Sequence, residues 1–90
     1  MVPVTILRDT ATWIRLPQVA TLKQKFGKKL RAIRLERRLT QEQFAEALDI
    51  SVDFLSLIER GRNAPSFETL DNIAKRLRLP VSELFSFEPR

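Results

Sequence analysis

Residues 40–61 read TQEQFAEALDISVDFLSLIERG and predict two short helices joined by a tight turn. Thr40, with Gln43 three residues later, forms a capping-box pattern that begins the first of them. Ser51 is a favoured N-cap for the second, which we expect to run from Val52 to Arg60, and Gly61 ends it. The inward-facing apolar residues of the pair are Phe44, Ala45, Leu48, Leu55 and Ile58.

The segment before this pair predicts one more helix. Phe26, Leu30 and Ile33 are spaced by four and three residues, which places them on one helical face as far as about Arg38. Pro17 could open an upstream extension of this helix. The segment after the pair predicts two further helices. Ser66 caps the first, whose apolar stripe is Leu70, Ile73, Ala74 and Leu77. Pro80 separates it from a short last helix over residues 81–86.

Residues 1–21 form an N-terminal arm whose structure the sequence leaves open. Val2, Val4 and Ile6 alternate like a strand, and Pro3 would confine such a strand to a sheet edge. The apolar residues 13–16 show no clear period. We therefore expect an all-α fold of five helices over residues 22–87, preceded by this arm.

Basic residues concentrate in the first helix. Eight of them and one acidic residue lie between Lys23 and Arg38, so this segment carries +7 in a chain whose net charge is +5. Such a stretch suits a polyanion, either nucleic acid or an anionic membrane surface, although a solvated helix face would look the same. The apolar stripe beside it is needed for the core, which argues against membrane attachment.

The composition argues against an enzyme. The chain has no cysteine and no histidine, so it lacks disulfides, the usual zinc ligands and the commonest general base. We expect no catalytic residue, no metal site, no cofactor and no small-molecule ligand. No run approaches the roughly 18 apolar residues of a membrane span, and we expect a cytoplasmic protein.

The paired helices at about 40–60 are typical of a helix-turn-helix unit, in which the second helix enters the major groove of DNA. The stretch from Phe26 to Phe85 resembles the Cro and phage-repressor family, also called the Xre family. The resemblance rests on FG at 26–27, TQEQFA at 40–45, IERG at 58–61, PS at 65–66, IA at 73–74 and LF at 84–85. It implies a lambda-repressor-like fold and a sequence-specific regulator of transcription that binds double-stranded DNA. Restriction-modification controller proteins are similar in size.

The resemblance also assigns DNA contacts. The residues implied to approach base edges are Val52, Asp53, Ser56 and Leu57. Those implied to contact the DNA backbone are Gln41, Arg31, Phe54, Arg60, Arg62 and Asn63. Two of the base-edge residues are apolar and offer only a contact to a thymine methyl, while Asp53 could accept from a cytosine amino group or simply stabilise the helix dipole.

Three structural expectations follow from the same resemblance. Arg34 lies at the edge of the apolar stripe, where an unpaired charge is costly, and a partly buried ion pair with Glu59 is implied. Asp49 stands where the family commonly has glycine, which predicts a left-handed backbone. Because Asp tolerates that conformation only at some cost, Asp49→Gly should stabilise the fold.

Most relatives bind as homodimers across a partly palindromic operator. The residues expected at the dimer interface are Val81, Leu84, Phe85 and Phe87, although Leu84 and Phe85 could instead close the core. Repression or autoregulation is the expected mode of action. An alternative keeps the fold but makes it a protein-interaction component, such as an antitoxin or an antirepressor, and the apolar recognition surface favours this slightly.

Overall fold

The computed structural model describes residues 20–87 and contains five α-helices in that range. They are α1 (Leu22–Glu36), α2 (Gln41–Leu48), α3 (Val52–Glu59), α4 (Phe67–Leu77) and α5 (Val81–Leu84). The predicted all-α, five-helix fold is confirmed for this part of the chain. The strand-like alternation of the arm lies outside the described residues. No helix within residues 20–87 is long and apolar enough to cross a membrane.

Hydroxyl side chains begin four of the five helices. Thr21, Thr40, Ser51 and Ser66 each accept a hydrogen bond from the backbone N–H three residues later, at 3.0–3.2 Å. Such an N-cap contributes about 1 kcal/mol to the stability of its helix. The predicted caps of α2, α3 and α4 are confirmed.

The bounds of the first and last helices differ from the prediction. A capping box between Thr21 and Gln24 begins α1 well before Phe26, and Arg37 is its C-cap. Arg38, with φ 58°, has left-handed backbone and cannot continue the helix. The last helix ends at Leu84 because the following N–H groups bond three residues back, as that of Phe85 does to the Ser82 carbonyl at 3.1 Å.

One core holds the five helices together. Its residues come from every helix, and each predicted inner face contributes to it: the fully buried large side chains are Leu30, Phe44, Leu48, Leu55, Ile58, Ile73 and Leu84. Each such side chain contributes roughly 1.5–3 kcal/mol by leaving water. The burial of this core fixes how α2 and α3 sit against α1.

Two backbone features set the position of α3. Gly27 lets α1 approach α3 closely, because a Cβ at this position would overlap the carbonyl of Ile58. Asp49 ends α2 with φ 61° and ψ 43°, the left-handed conformation that its position predicted. The next N–H, of Ile50, then bonds to the Ala45 carbonyl at 3.0 Å, which completes the corner between α2 and α3.

Candidate nucleic-acid interface

The outer surface of α3 is the open side of the helix-turn-helix unit. Leu55 and Ile58 point into the core, whereas Val52 is 36% exposed and Asp53 is exposed. Ser56 and Leu57 are partly exposed on the same helix. The four residues expected at base edges are therefore all accessible on α3 and present a mixed surface of two apolar groups, one hydroxyl and one carboxylate.

The N-terminus of α3 is partly used for capping. The Ser51 hydroxyl accepts the Phe54 N–H at 3.0 Å, and Asp53 lies in the first turn, where its charge favours the helix dipole. The N–H groups of Val52 and Asp53 come too early in the helix to have an intrahelical acceptor. They are free in geometry to face an anionic oxygen.

Phe54 does not fit the role expected of it at the DNA backbone. Its ring packs against the hydrophobic core, and its N–H is already bonded to Ser51. A phenyl ring carries no donor, so Phe54 has nothing left to offer a phosphate oxygen. We correct its assignment to a packing residue that holds the start of α3 against the core.

Four of the other expected backbone contacts carry donors and lie around α3. Arg60 and Arg62 are exposed at its C-terminal end, where the Arg60 Nε lies 3.4 Å from the Ser56 carbonyl. Asn63 is exposed in the following loop, and its Oδ1 accepts the Ala64 N–H at 2.9 Å. This bond leaves the amide NH₂ of Asn63 to donate elsewhere. Gln41 is the first residue of α2.

Arg31 reaches the same region from α1. It lies four residues after Gly27, which touches α3, and three before Arg34, which bonds to α3. Residues at these spacings share one face of a helix. Arg31 is exposed, so its charge projects along the edge of α3.

Lys28 is a candidate contact that the sequence reasoning missed. It lines a depression of about 270 Å³ together with Gln24, Glu59 and Arg60. The sequence places Lys28 within the basic stretch, but only packing shows that it stands beside the end of α3. Its adjacency to Gly27, which contacts α3, was the available signal.

A buried ion pair connects α1 to α3. The Arg34 Nε donates to Glu59 Oε2 at 2.8 Å and its Nη2 donates to Glu59 Oε1 at 3.0 Å. The two side chains are only 12% and 2% exposed. The hydrogen bond to Glu59 raises the pKa of Arg34; burial opposes this change, and the charges of Glu59 and Glu42 add to it. The guanidinium is therefore held in its charged form.

The same carboxylate also orients Gln41. The Gln41 Nε2 donates to Glu59 Oε1 at 3.0 Å, so the two helices of the helix-turn-helix unit and α1 meet at one carboxylate. Arg34 Nη1 donates as well to the Leu39 carbonyl at 3.1 Å, in the segment between α1 and α2. Sequence spacing could not show the Gln41–Glu59 bond, because its partners are 18 residues apart.

Part of the basic stretch serves the fold rather than a ligand. Lys29 pairs with Glu83 at 3.3 Å, and Arg37 donates to the Leu77 carbonyl at the end of α4 at 3.0 Å. Within residues 20–87, the basic residues of α1 and its end that form no ion pair are Lys23, Lys25, Lys28, Arg31, Arg37 and Arg38. A positive surface thus remains beside α3.

The residues expected at a dimer interface separate into two groups. Leu84 is 0% exposed and belongs to the core of the single chain, so we remove it from the candidate interface. Phe85 is half-buried, stacks on Phe26 with ring centroids 5.4 Å apart, and meets Phe87 edge-on at 6.0 Å. Val81 remains exposed.

The described residues offer no alternative chemistry at this face. In residues 20–87 no group of three or more Asp, Glu, His or Cys residues could hold a metal ion.

Comparison with known proteins decides the family. The HTH_3 family model, described as helix-turn-helix, matches residues 30–84, which include all of α2, α3, α4 and α5. The chain belongs to the HTH_3 family. The resemblance to Cro and phage repressors is thereby confirmed.

The relatives of this HTH_3 chain include phage and restriction-modification proteins. It is 44% identical over 62 residues to the immunity repressor protein of Bacillus phage phi105, a match that covers 69% of this chain and 43% of that one. It is 39% identical over 66 residues to the control protein C.MunI of Mycoplasma sp, covering 72% of this chain and 89% of the relative. The chain spans about half the length of several curated relatives.

The fold of this HTH_3 chain also matches solved structures. The crystal structure of the restriction-modification controller protein C.AhdI from Aeromonas hydrophila superposes with a TM-score of 0.65 at 30% identity. That match covers 70% of this chain and 96% of C.AhdI. The same helical arrangement is therefore present in an experimentally determined relative.

Proposed function

We propose that this protein is a transcriptional regulator that binds double-stranded DNA in a sequence-specific manner and acts as a repressor or autoregulator. The observation that carries the proposal is the accessible face of α3, held by the Arg34–Glu59–Gln41 network and flanked by cationic side chains. The names of the relatives, which include an immunity repressor and a control protein, support it.

In this proposal α3 lies in the major groove and α2 crosses the phosphate backbone. Base edges face Val52, Asp53, Ser56 and Leu57. Phosphates face two sides of α3: Gln41 on one, and Arg60, Arg62, Asn63, Arg31 and Lys28 on the other. Backbone contacts fix the register of the protein on the duplex, whereas the α3 contacts choose the sequence.

The base contacts proposed here read thymine-rich sequence through shape and methyl groups. Val52 and Leu57 offer apolar surface that fits a thymine C5-methyl, and neither can donate or accept a hydrogen bond. Asp53 can only accept, so a cytosine amino group is its matching partner. A guanine opposite any of these three residues would find no donor.

We further propose that the protein binds as a homodimer on a partly palindromic site. Two copies would place their α3 helices one turn of DNA apart, roughly 34 Å. The candidate contact surface consists of Val81, Phe85 and Phe87. Sedimentation at increasing protein concentration tests this: a rise from monomer to dimer mass supports the proposal, and a monomer at every concentration up to that of DNA binding contradicts it.

Two alanine variants test the site directly. Binding to a preferred duplex is measured by fluorescence anisotropy for the parent, Gln41→Ala and Leu57→Ala, with Asn72→Ala as a control that removes an exposed amide from α4. Gln41→Ala should weaken binding to all duplexes alike, because it removes a phosphate donor. Leu57→Ala should weaken binding to the preferred duplex by about 1–3 kcal/mol and relax the choice of base at one position.

Equal affinities for the parent and both site variants would contradict the assignment. If the parent shows only weak binding that falls steeply with salt and has no preferred sequence, the basic helix is a generic polyanion contact. The protein-interaction alternative would then be favoured.

A further inference from the structure

An apolar groove of about 330 Å³ lies between α1 and α4, away from the outer face of α3. Its lining includes Leu22, Phe26, Pro65, Phe67, Leu70 and Phe85. None of these residues belongs to α3 or to the candidate DNA contacts. The groove is therefore separate from the site described above.

The groove contains the most exposed large apolar side chain among the described residues. Phe67 is 88% exposed and Leu22 is 61% exposed, although Phe26, at the groove floor, is buried. Phe67 is the first residue of α4, a position where acidic residues and proline, rather than an aromatic ring, assist the helix. Local helix formation thus gives no reason for this phenylalanine, whereas an apolar partner lying over it would.

The start of the described chain points to the partner. The groove wall begins at Leu22, two residues after Ala20, where the described residues start. Immediately upstream, residues 13–16 contain the apolar side chains Trp13, Ile14 and Leu16. An extended chain spans at most about 3.3–3.6 Å per residue, so Leu16 can lie up to roughly 14 Å from Ala20 and Trp13 up to roughly 25 Å.

We propose that residues 13–16 of the same chain occupy this groove, with the Trp13 indole against Phe67. A segment tethered so closely has an effective concentration in the millimolar range, well above that of a second copy in dilute solution. A stable interface between two copies needs about 800 Å² from each. The groove holds about the volume of ten water molecules, which suits one or two side chains rather than a protein face.

The single tryptophan of the sequence makes the proposal directly measurable. We would record Trp13 emission and its quenching by acrylamide in the 90-residue chain, in Phe67→Asp and in Val81→Asp. The two variants are matched, since each places an aspartate at the exposed first position of a helix, where its charge favours the dipole and preserves the fold. Circular dichroism checks that both remain helical.

We expect Trp13 in the parent and in Val81→Asp to emit at shorter wavelength than in the urea-unfolded chain and to resist quenching. In Phe67→Asp, emission and quenching should both move to the values of the unfolded chain while the helical signal stays. Trp13→Ala should lower the thermal midpoint of the parent but leave that of Phe67→Asp unchanged, because the partner surface is already lost.

Three results would overturn the proposal. The first is a parent whose Trp13 is as readily quenched as in the unfolded chain. The second is protection that Phe67→Asp leaves intact. The third is protection that disappears on dilution or in Val81→Asp, which would assign the groove to a second copy. DNA binding enters none of these measurements, so the outcome is independent of the proposed function.

Discussion

Glu59→Ala should be among the most destabilising single changes in this fold. It leaves the Arg34 guanidinium, with a side chain only 12% exposed, facing a site where its two charge-assisted hydrogen bonds have gone. The Leu39 carbonyl at 3.1 Å is then its one recorded acceptor in residues 20–87. Removing one partner of a buried pair costs about 3–5 kcal/mol. For a domain of this size 1 kcal/mol corresponds to about 4–8 °C, so the thermal midpoint should fall by at least about 12 °C.

The assay is urea unfolding followed by circular dichroism for the parent, Glu59→Ala, Arg34→Ala and the double variant. The double variant should be less destabilised than the sum of the singles by more than about 1 kcal/mol, because it leaves no unpaired buried charge. Asp71→Ala, which removes an exposed i,i+4 pair with Lys75, is the control and should change stability by less than about 0.5 kcal/mol. Strict additivity of the Arg34 and Glu59 changes would refute the reasoning.

Further substitutions test the backbone and the caps by thermal unfolding. Gly27→Ala should destabilise by about 1–3 kcal/mol, since its Cβ would overlap the Ile58 carbonyl, while the neighbouring exposed Lys28→Ala should have little effect; equal midpoints would contradict the close approach. Asp49→Gly should stabilise by about 0.5–1 kcal/mol, because glycine relieves the left-handed strain, and a lower midpoint would show otherwise. Thr40→Ala should cost about 1 kcal/mol, whereas Thr40→Ser should restore most of it.

The pH dependence of the ion pair follows from the raised pKa of Arg34. A cation whose pKa is higher in the folded state stabilises fully below its unfolded pKa, and this stabilisation is lost only as pH rises through the folded pKa. Both values for arginine lie far above neutrality. The contribution of Arg34 should therefore stay constant from neutral to moderately alkaline pH.

Local signals were sufficient to predict the helices whose starts are hydroxyl caps. Thr40, Ser51 and Ser66 each precede a clear apolar period, and α2, α3 and α4 begin where the sequence indicates. The start of α1 was missed because Leu22, its first apolar residue, is exposed and adds little to the core stripe. The Thr21–Gln24 capping box was present in the sequence but stood next to an arm without periodicity.

The candidate site was predictable in its members but not in its connections. Spacing on α3 separates the buried Leu55 and Ile58 from the accessible Val52 and Leu57. The bond from Gln41 to Glu59 depends on how two helices pack, which no local pattern contains. For the same reason the sequence could not place Lys28 beside Arg60, nor could it decide between core and interface for Leu84.

The groove residue Phe67 shows a second limit of sequence reasoning. It lies outside the apolar stripe of α4, so periodicity alone treats it as an ordinary surface residue. Only the arrangement of α1, the 62–65 loop and Phe85 around it shows an apolar surface that lacks cover within residues 20–87.

The most direct test of the central claim is selection of bound sequences from random duplex DNA by the 90-residue protein. Affinity for the selected sequence is then compared with that for a scrambled duplex at two salt concentrations. Our account predicts a partly palindromic motif bound at least about 10³-fold more tightly than scrambled DNA, with that preference retained at the higher salt. Recovery of no motif, with equal and steeply salt-dependent affinity for both duplexes, would contradict it.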